Sequence, residues 1–218
     1  MQNIPRLSRP HRVRGRALIL AVVALAAVLL GVVAARGLFQ QAEPYRAASI
    51  YPQPLDVGAF ELTDADGDSF TESDLRGNLT LMFFGFTNCP DVCPDTLGTL
   101  AGAMDKLDTM RVATLPDVVF VSVDPARDAG DSMRDYVRYF DPSFRAVTGD
   151  DDALRALTSR LGIFYRLGEP DDSGYYAVDH SGMIVIVDDR GRAIGRFPPN
   201  TGPEALAADL FTLSRSRA

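Results

Sequence analysis

The sequence predicts an α/β fold, a central mixed β-sheet flanked by helices, joined to an N-terminal transmembrane helix. Three observations lead there. Apolar runs at 79–86, 118–123 and 183–187 are continuous enough to be strands buried on both faces. The segments between them carry apolar residues at helical spacing. Residues 17–35 contain no charged side chain, close to the roughly 20 residues that cross a bilayer as a helix.

The N-terminal elements divide the chain as 1–16, a basic cytoplasmic tail; 17–35, the transmembrane anchor; 36–56, a linker; and 57–216, the folded domain. Arg6, Arg9, Arg12, Arg14 and Arg16 precede the apolar stretch without an acidic residue. The positive-inside rule then leaves the N-terminus in the cytoplasm and exports the rest to the periplasm. A cleaved signal peptide, with Val33 and Ala35 as the small residues of its cleavage site, is the rival reading and gives the same address; the apolar run is long for one. Pro44, Pro52 and Pro54 mark the linker as an extended tether. All 29 acidic residues lie from Glu43 onward, with 16 of the 22 basic ones. So acidic a domain argues against nucleic acid as a partner and suits an exported protein.

Within the domain, Phe60, Leu62 and Phe70 flank the turn-rich Asp64-Ala-Asp-Gly-Asp68 and read as a hairpin. That stretch resembles the start of a calcium loop, but Ser69 and Leu75 stand where the glycine and the bidentate glutamate belong. The first sheet-centre strand leads to a helix carrying Leu97, Leu100, Ala101, Met104 and Leu107, with Pro94 in its first turn, and then to the second strand. Met133, Tyr136, Val137 and Phe140 mark another helix, and Leu154, Leu157 and Leu161 a third with an acidic start. The third strand turns through Asp188-Asp-Arg-Gly191 into 193–197. A closing helix follows, with Leu206, Leu210 and Leu213 on one face and Thr201 and Glu204 at capping-box spacing. A βαβ unit, then helices, a hairpin and a last helix is the thioredoxin-like order.

The chemistry gathers at Cys89-Pro-Asp-Val-Cys-Pro94, which holds both cysteines at a strand-to-helix turn. A helical first turn would put residues i and i+4 on one face, and a helix N-terminus favours thiolate over thiol. The pair can close as a disulfide or clasp a soft metal ion. As a mere staple it would constrain little, because the loop is so short. His11 lies in the arginine-rich tail, so only His180 can reach the cysteines. It stands before the third strand, where thioredoxin-like oxidoreductases carry a proline. Two thiolates and an imidazole suit Cu(I), and Cu(II) with an added oxygen ligand; zinc would want a fourth ligand. Met82, Met104, Met133 and Met183 read as core, with Met110 less defined, and Asp91, Asp95, Asp124 and Asp128 as turn and cap residues.

Phe84-Gly-Phe-Thr-Asn-Cys-Pro-Asp-Val-Cys-Pro94, Val121-Ser-Val-Asp-Pro-Ala-Arg-Asp128, Phe140-Asp-Pro142 and Val178-Asp-His-Ser181, in this order, resemble the Sco/SenC family of membrane-anchored copper chaperones. The resemblance covers nearly all of the exported domain. It implies one copper ion held by Cys89, Cys93 and His180, delivered to the dinuclear copper centre of cytochrome c oxidase subunit II or another copper acceptor. It also implies a periplasmic thiol reductant or copper donor as a second partner, and a thiol-reductase side activity in a protein that is not primarily an enzyme. Asn88 stands where a histidine is frequent in the family, and Gly182 where bulkier residues often follow. The alternatives are a thiol-disulfide oxidoreductase or peroxidase, with Cys89 as nucleophile and Cys93 as resolving thiol, and a copper-responsive redox signalling protein. The polar 168–174 loop is a candidate docking surface.

Overall fold

The computed structural model describes the backbone of residues 12–39 and 45–215, with side chains described from 17 to 32 in the first of these segments. The first segment is helix α1, Arg12–Phe39. Its side chains from 17 to 32 are exposed, and no helix among the described residues is long and apolar enough to cross a membrane. The expected anchor extends through 33–35, whose side chains lie outside the described residues, as do residues 1–11 of the expected basic tail. Met1–Pro44 and Tyr45–Ala218 are separate compact units.

The second unit has the expected mixed α/β architecture. Its strands are β1 (Ser49–Asp56), β2 (Glu61–Asp64), β3 (Ser69–Thr71), β4 (Thr80–Gly85), β5 (Asp117–Ser122), β6 (Arg145–Thr148), β7 (Tyr165–Leu167), β8 (Val178–His180), β9 (Ile184–Val187) and β10 (Arg192–Phe197). Its helices are α2 (Val92–Thr109), α3 (Gly130–Arg138), α4 (Asp151–Leu161) and α5 (Pro203–Arg215). Eight strands form one sheet in the order β1-β10-β9-β4-β5-β6-β2-β3, and β7 pairs β8 separately. The three apolar runs become β4, β5 and β9 at the sheet's centre. β4 and β5 run parallel, from Thr80 opposite Asp117 to Gly85 opposite Ser122, and β9 runs antiparallel to β4. All six residues of β4 are buried; each of its large side chains, Leu81 to Phe84, stabilises the fold by roughly 1.5–3 kcal/mol.

The linker expectation needs correction. Residues 49–56 form an edge strand, β1, paired antiparallel with β10 and irregular between Ile50 and Leu55. Pro52 and Pro54 are tolerated there because an edge strand has one side free of ladder bonds. The approach to β1 is held by Asp209 of α5, buried at 2% exposure, whose carboxylate accepts from the amides of Arg46, Ala47 and Ala48 at 2.7–2.8 Å. Gly195 on β10 lets β1 come close, since a Cβ there would lie 2.7 Å from the Ser49 carbonyl oxygen.

Elsewhere the local signals hold with small shifts. The 61–71 hairpin forms as β2 and β3, and Asp64 is occupied as its turn residue, accepting from the amides of Asp66 and Asp68 and from Arg145. Asp150 caps α4 by accepting from the Ala153 amide at 2.8 Å. The box expected at Thr201 is displaced: Gly202's carbonyl takes the first α5 bond from Leu206, and the Thr201 hydroxyl donates to Pro198. Met82, Met104 and Met133 are buried, Met183 is partly so, and Met110 is 48% exposed.

Candidate metal centre

β4 ends at Gly85 and the chain passes through Phe86, Thr87 and Asn88 to Cys89, while α2 begins only at Val92. Cys93 is therefore helical and Cys89 is not. The two sulfurs meet because the loop folds back, with the Cys89 amide donating to the Phe86 carbonyl at 3.3 Å, rather than because both lie on one helix face. Both are free thiols; Cys89 is half-buried and Cys93 fully buried. The expectation of a thiolate at the helix N-terminus fails for Cys93. Burial pushes its thiol well up, with the Phe86 backbone opposing part of the rise, so desolvation outweighs the helix dipole.

His180 comes from β8, with Tyr165 of β7 opposite in register. Its ring stands edge-on to Phe86 at 5.8 Å and Phe83 at 6.2 Å. Burial lowers its pKa, partly offset by the Phe84 backbone and the charge of Asp179. Nε2 lies 3.5 Å from Cys93 Sγ, and Nδ1 accepts from the Gly182 amide at 3.3 Å. A neutral ring in this setting carries its proton on Nε2, toward the sulfur.

One ligand atom from each of Cys89, Cys93 and His180 lies within 4.8 Å of the other two, the one such group of His, Cys, Asp or Glu among the described residues. Metal–ligand bonds of about 2.0–2.3 Å at trigonal angles put ligand atoms about 3.5–4.0 Å apart, so a closure of less than about 1 Å would let all three grip one ion. The set is soft and three-coordinate, half open to solvent through Cys89 and His180. Asp91 and Asp95 are exposed and outside the group, and His11 lies outside the described residues.

Several residues that shape the site were not assigned that role from the sequence, although they lie within the motifs that carry the family resemblance. Gly85 is required by the sulfur: a Cβ on it would fall 2.6 Å from Cys93 Sγ and 3.0 Å from a Phe120 ring carbon. Asp128, expected to be a cap, is fully buried and accepts from the Thr87 amide and hydroxyl and from Ser122 Oγ. It thereby fastens the loop that carries Cys89. Asp124, also buried, accepts from Arg127 and from the Tyr176 hydroxyl, while the Arg127 guanidinium lies 3.8 Å from the Tyr176 ring centroid and 5.8 Å from that of Phe86. This latch ties the segment before β8 to the loop after β5. The 168–174 loop is built on Asp171, which accepts from the Ser173 and Tyr175 amides.

A thioredoxin-like sheet with two cysteines at the start of its first crossover helix and a histidine facing them defines a redox or soft-metal protein. The family model SCO1/SenC matches residues 50–215, and the chain belongs to that family. An SCO2-like protein of Rickettsia felis is 30% identical over 194 residues, covering 86% of this chain and 94% of its own. Arabidopsis thaliana ScoI with copper bound superposes with a TM-score of 0.67 at 32% identity, covering 74% of this chain and 98% of that one. Bradyrhizobium japonicum ScoI with copper bound does so at 0.63 and 34%, covering 71% and 96%.

Proposed function

We propose that this protein is a copper metallochaperone, anchored in the inner membrane by its N-terminal helix with the domain in the periplasm. It holds one copper ion between Cys89, Cys93 and His180 and passes it to cytochrome c oxidase subunit II or another copper acceptor during assembly. The observation that carries the reading is the convergence of those three side chains within 4.8 Å at a half-open site on this family's fold. Copper in two similar structures supports the choice of ion, and the uncharged stretch 17–35 supports the anchor.

Capture needs the protein's own groups to rearrange protons. Both thiols give theirs up, and the imidazole proton moves from Nε2 to Nδ1, which ends the Gly182 contact; Gly182, at φ 60°, has the backbone freedom to turn its amide away. Cys89, the more exposed sulfur, is the first ligand that an acceptor's thiolate displaces, and the buried Cys93 leaves last. The same asymmetry favours a side activity as a thiol reductase. The Cys89 thiolate attacks an acceptor disulfide, and Cys93 then displaces the mixed disulfide. The acceptor gains two electrons as a dithiol while Cys89 and Cys93 become a disulfide.

The deciding measurement is Cu(I) titration of the dithiol and disulfide forms of the full chain in detergent, with X-ray absorption of the loaded protein. The expected result is one ion per dithiol chain with two sulfur neighbours and one nitrogen, and no tight site in the disulfide form. His180→Ala should lose the nitrogen neighbour and bind at least about tenfold more weakly. Equal affinity in that variant would remove His180 from the site, and a dithiol form that takes up no copper yet turns over disulfides would favour the oxidoreductase reading.

A further inference from the structure

A cavity of about 480 Å³ opens beside the start of β4, walled by Leu107 and Val112 at the end of α2 and by Leu210 and Phe211 of α5. Its lining carries two cations, Arg111 and Arg215, and one acid, Asp189. Both arginines are exposed, and neither is in an ion pair among the described residues, although the domain holds far more acidic than basic residues. Exposed Arg76 and Arg190, joined by a backbone bridge next to Gly77 and Asp189 of the lining, extend the basic rim. Arg111 is held there at a cost. It follows the C-cap of α2 in a Schellman turn, its amide donating to the Asp108 carbonyl at 2.8 Å and that of Val112 to the Leu107 carbonyl at 3.2 Å. Its φ is 57°, the left-handed region that a side chain disfavours, and α4 ends with Gly162 in the same conformation at φ 66°. A glycine would suit the turn, so the guanidinium is what the position gains.

The entry of the chain and the charge of the rim identify the occupant. Asp209 clamps residues 46–48, so the tether reaches the domain at α5, the helix whose following residues line the pocket. Residues 36–44, between the uncharged stretch and the domain, reach about 30 Å at full extension, which keeps the domain near the bilayer. We propose that this pocket docks the domain on the membrane, with Arg111 and Arg215 taking the phosphate of an anionic phospholipid and the apolar wall meeting its glycerol and upper acyl carbons. The inference rests on the anchored reading above. Cys89 and Cys93 follow the other end of β4, so docking here leaves the metal centre clear for an acceptor.

The test places the full chain in nanodiscs of phosphatidylcholine, with or without phosphatidylglycerol, and follows amide exchange by mass spectrometry. With the anionic lipid, exchange across 107–116 and 210–215 should slow at least about fivefold, the effect of one arginine near an anionic surface. High salt should remove the slowing. Arg111→Gly and Arg215→Gln should each lose most of it, and the denaturation midpoint of Arg111→Gly should hold or rise, because glycine adopts that conformation freely. Equal exchange in the two lipids, as a second copy of the chain in the pocket would give, overturns the proposal. So does undiminished slowing in Arg111→Gly, or equal slowing by inorganic phosphate in phosphatidylcholine discs, which would make the ligand a soluble anion. A lower midpoint for Arg111→Gly would make Arg111 a structural residue and overturn it too. A chain that does not stay in the discs would instead fell the anchored reading, and this inference with it.

Discussion

At Gly85 one methyl group is enough to disturb the metal centre, since the position it would take lies 2.6 Å from Cys93 Sγ. The sulfur is the end of a short side chain, so it can rotate away, and the strand need not break. Gly85→Ala is therefore expected to fold, to weaken copper binding at least about tenfold, and to speed alkylation of Cys93, which is fully buried in the wild type. Thiol labelling with mass spectrometry, set beside a copper titration, checks both; wild-type values for each would show that the neighbours absorb the methyl. The three candidate ligands were legible in the sequence, because both cysteines sit in one motif and only one histidine follows the apolar stretch. The parts played by Gly85 and Asp128 were not, although both lie in the quoted motifs, because those parts depend on burial and on contacts between distant segments.

Among the elements, β4, β5, β9 and the helices announce themselves through apolar runs and spacing, whereas β1, β6, β7 and β8 do not. The last three are only three or four residues long, too short for a period to show. β1 reads as a tether because its prolines are a local signal, and its pairing is decided by β10 and by a carboxylate 161–163 residues away. Asp209→Ala should strand the amides of Arg46, Ala47 and Ala48 and destabilise the domain by about 2–3 kcal/mol, as read from urea unfolding. β1 stands three places from β4 in the sheet, so copper affinity should not change. A variant as stable as wild type would mean that water replaces the carboxylate.

For the whole molecule, pH tests the electrostatics in two windows. Burial alone would raise the pKa of Asp64 and of Asp188. Hydrogen bonds from Arg145 to the first, and from Arg192 and the Arg190 and Arg192 amides to the second, outweigh it and hold both below the ordinary carboxylate value. Their stabilisation is present above the unfolded value of about 3.9 and is lost as pH falls through the lower folded values. His180 is held below its ordinary value by burial. The unfolded chain then takes up that proton first, and metal-free stability falls as pH drops from about 6.5 toward the folded value. Urea midpoints against pH should show a shallow early loss, absent from His180→Gln, and a steeper one below about pH 4, smaller in Asp188→Asn. A midpoint flat from pH 7 to 5 in the metal-free wild type would contradict the burial of the imidazole.

By itself the sequence determined the fold class, the order of the central strands and helices, and the identity of the three candidate ligands, because these rest on hydrophobic periodicity and on residue chemistry, both local properties. Only the tertiary structure decided how the sulfurs meet, that Cys93 is a buried thiol, that Gly85 leaves room for its sulfur, and that Asp128 fastens the loop carrying Cys89. Desolvation and close packing depend on which distant segments share a volume, and that information exists only once the chain has folded.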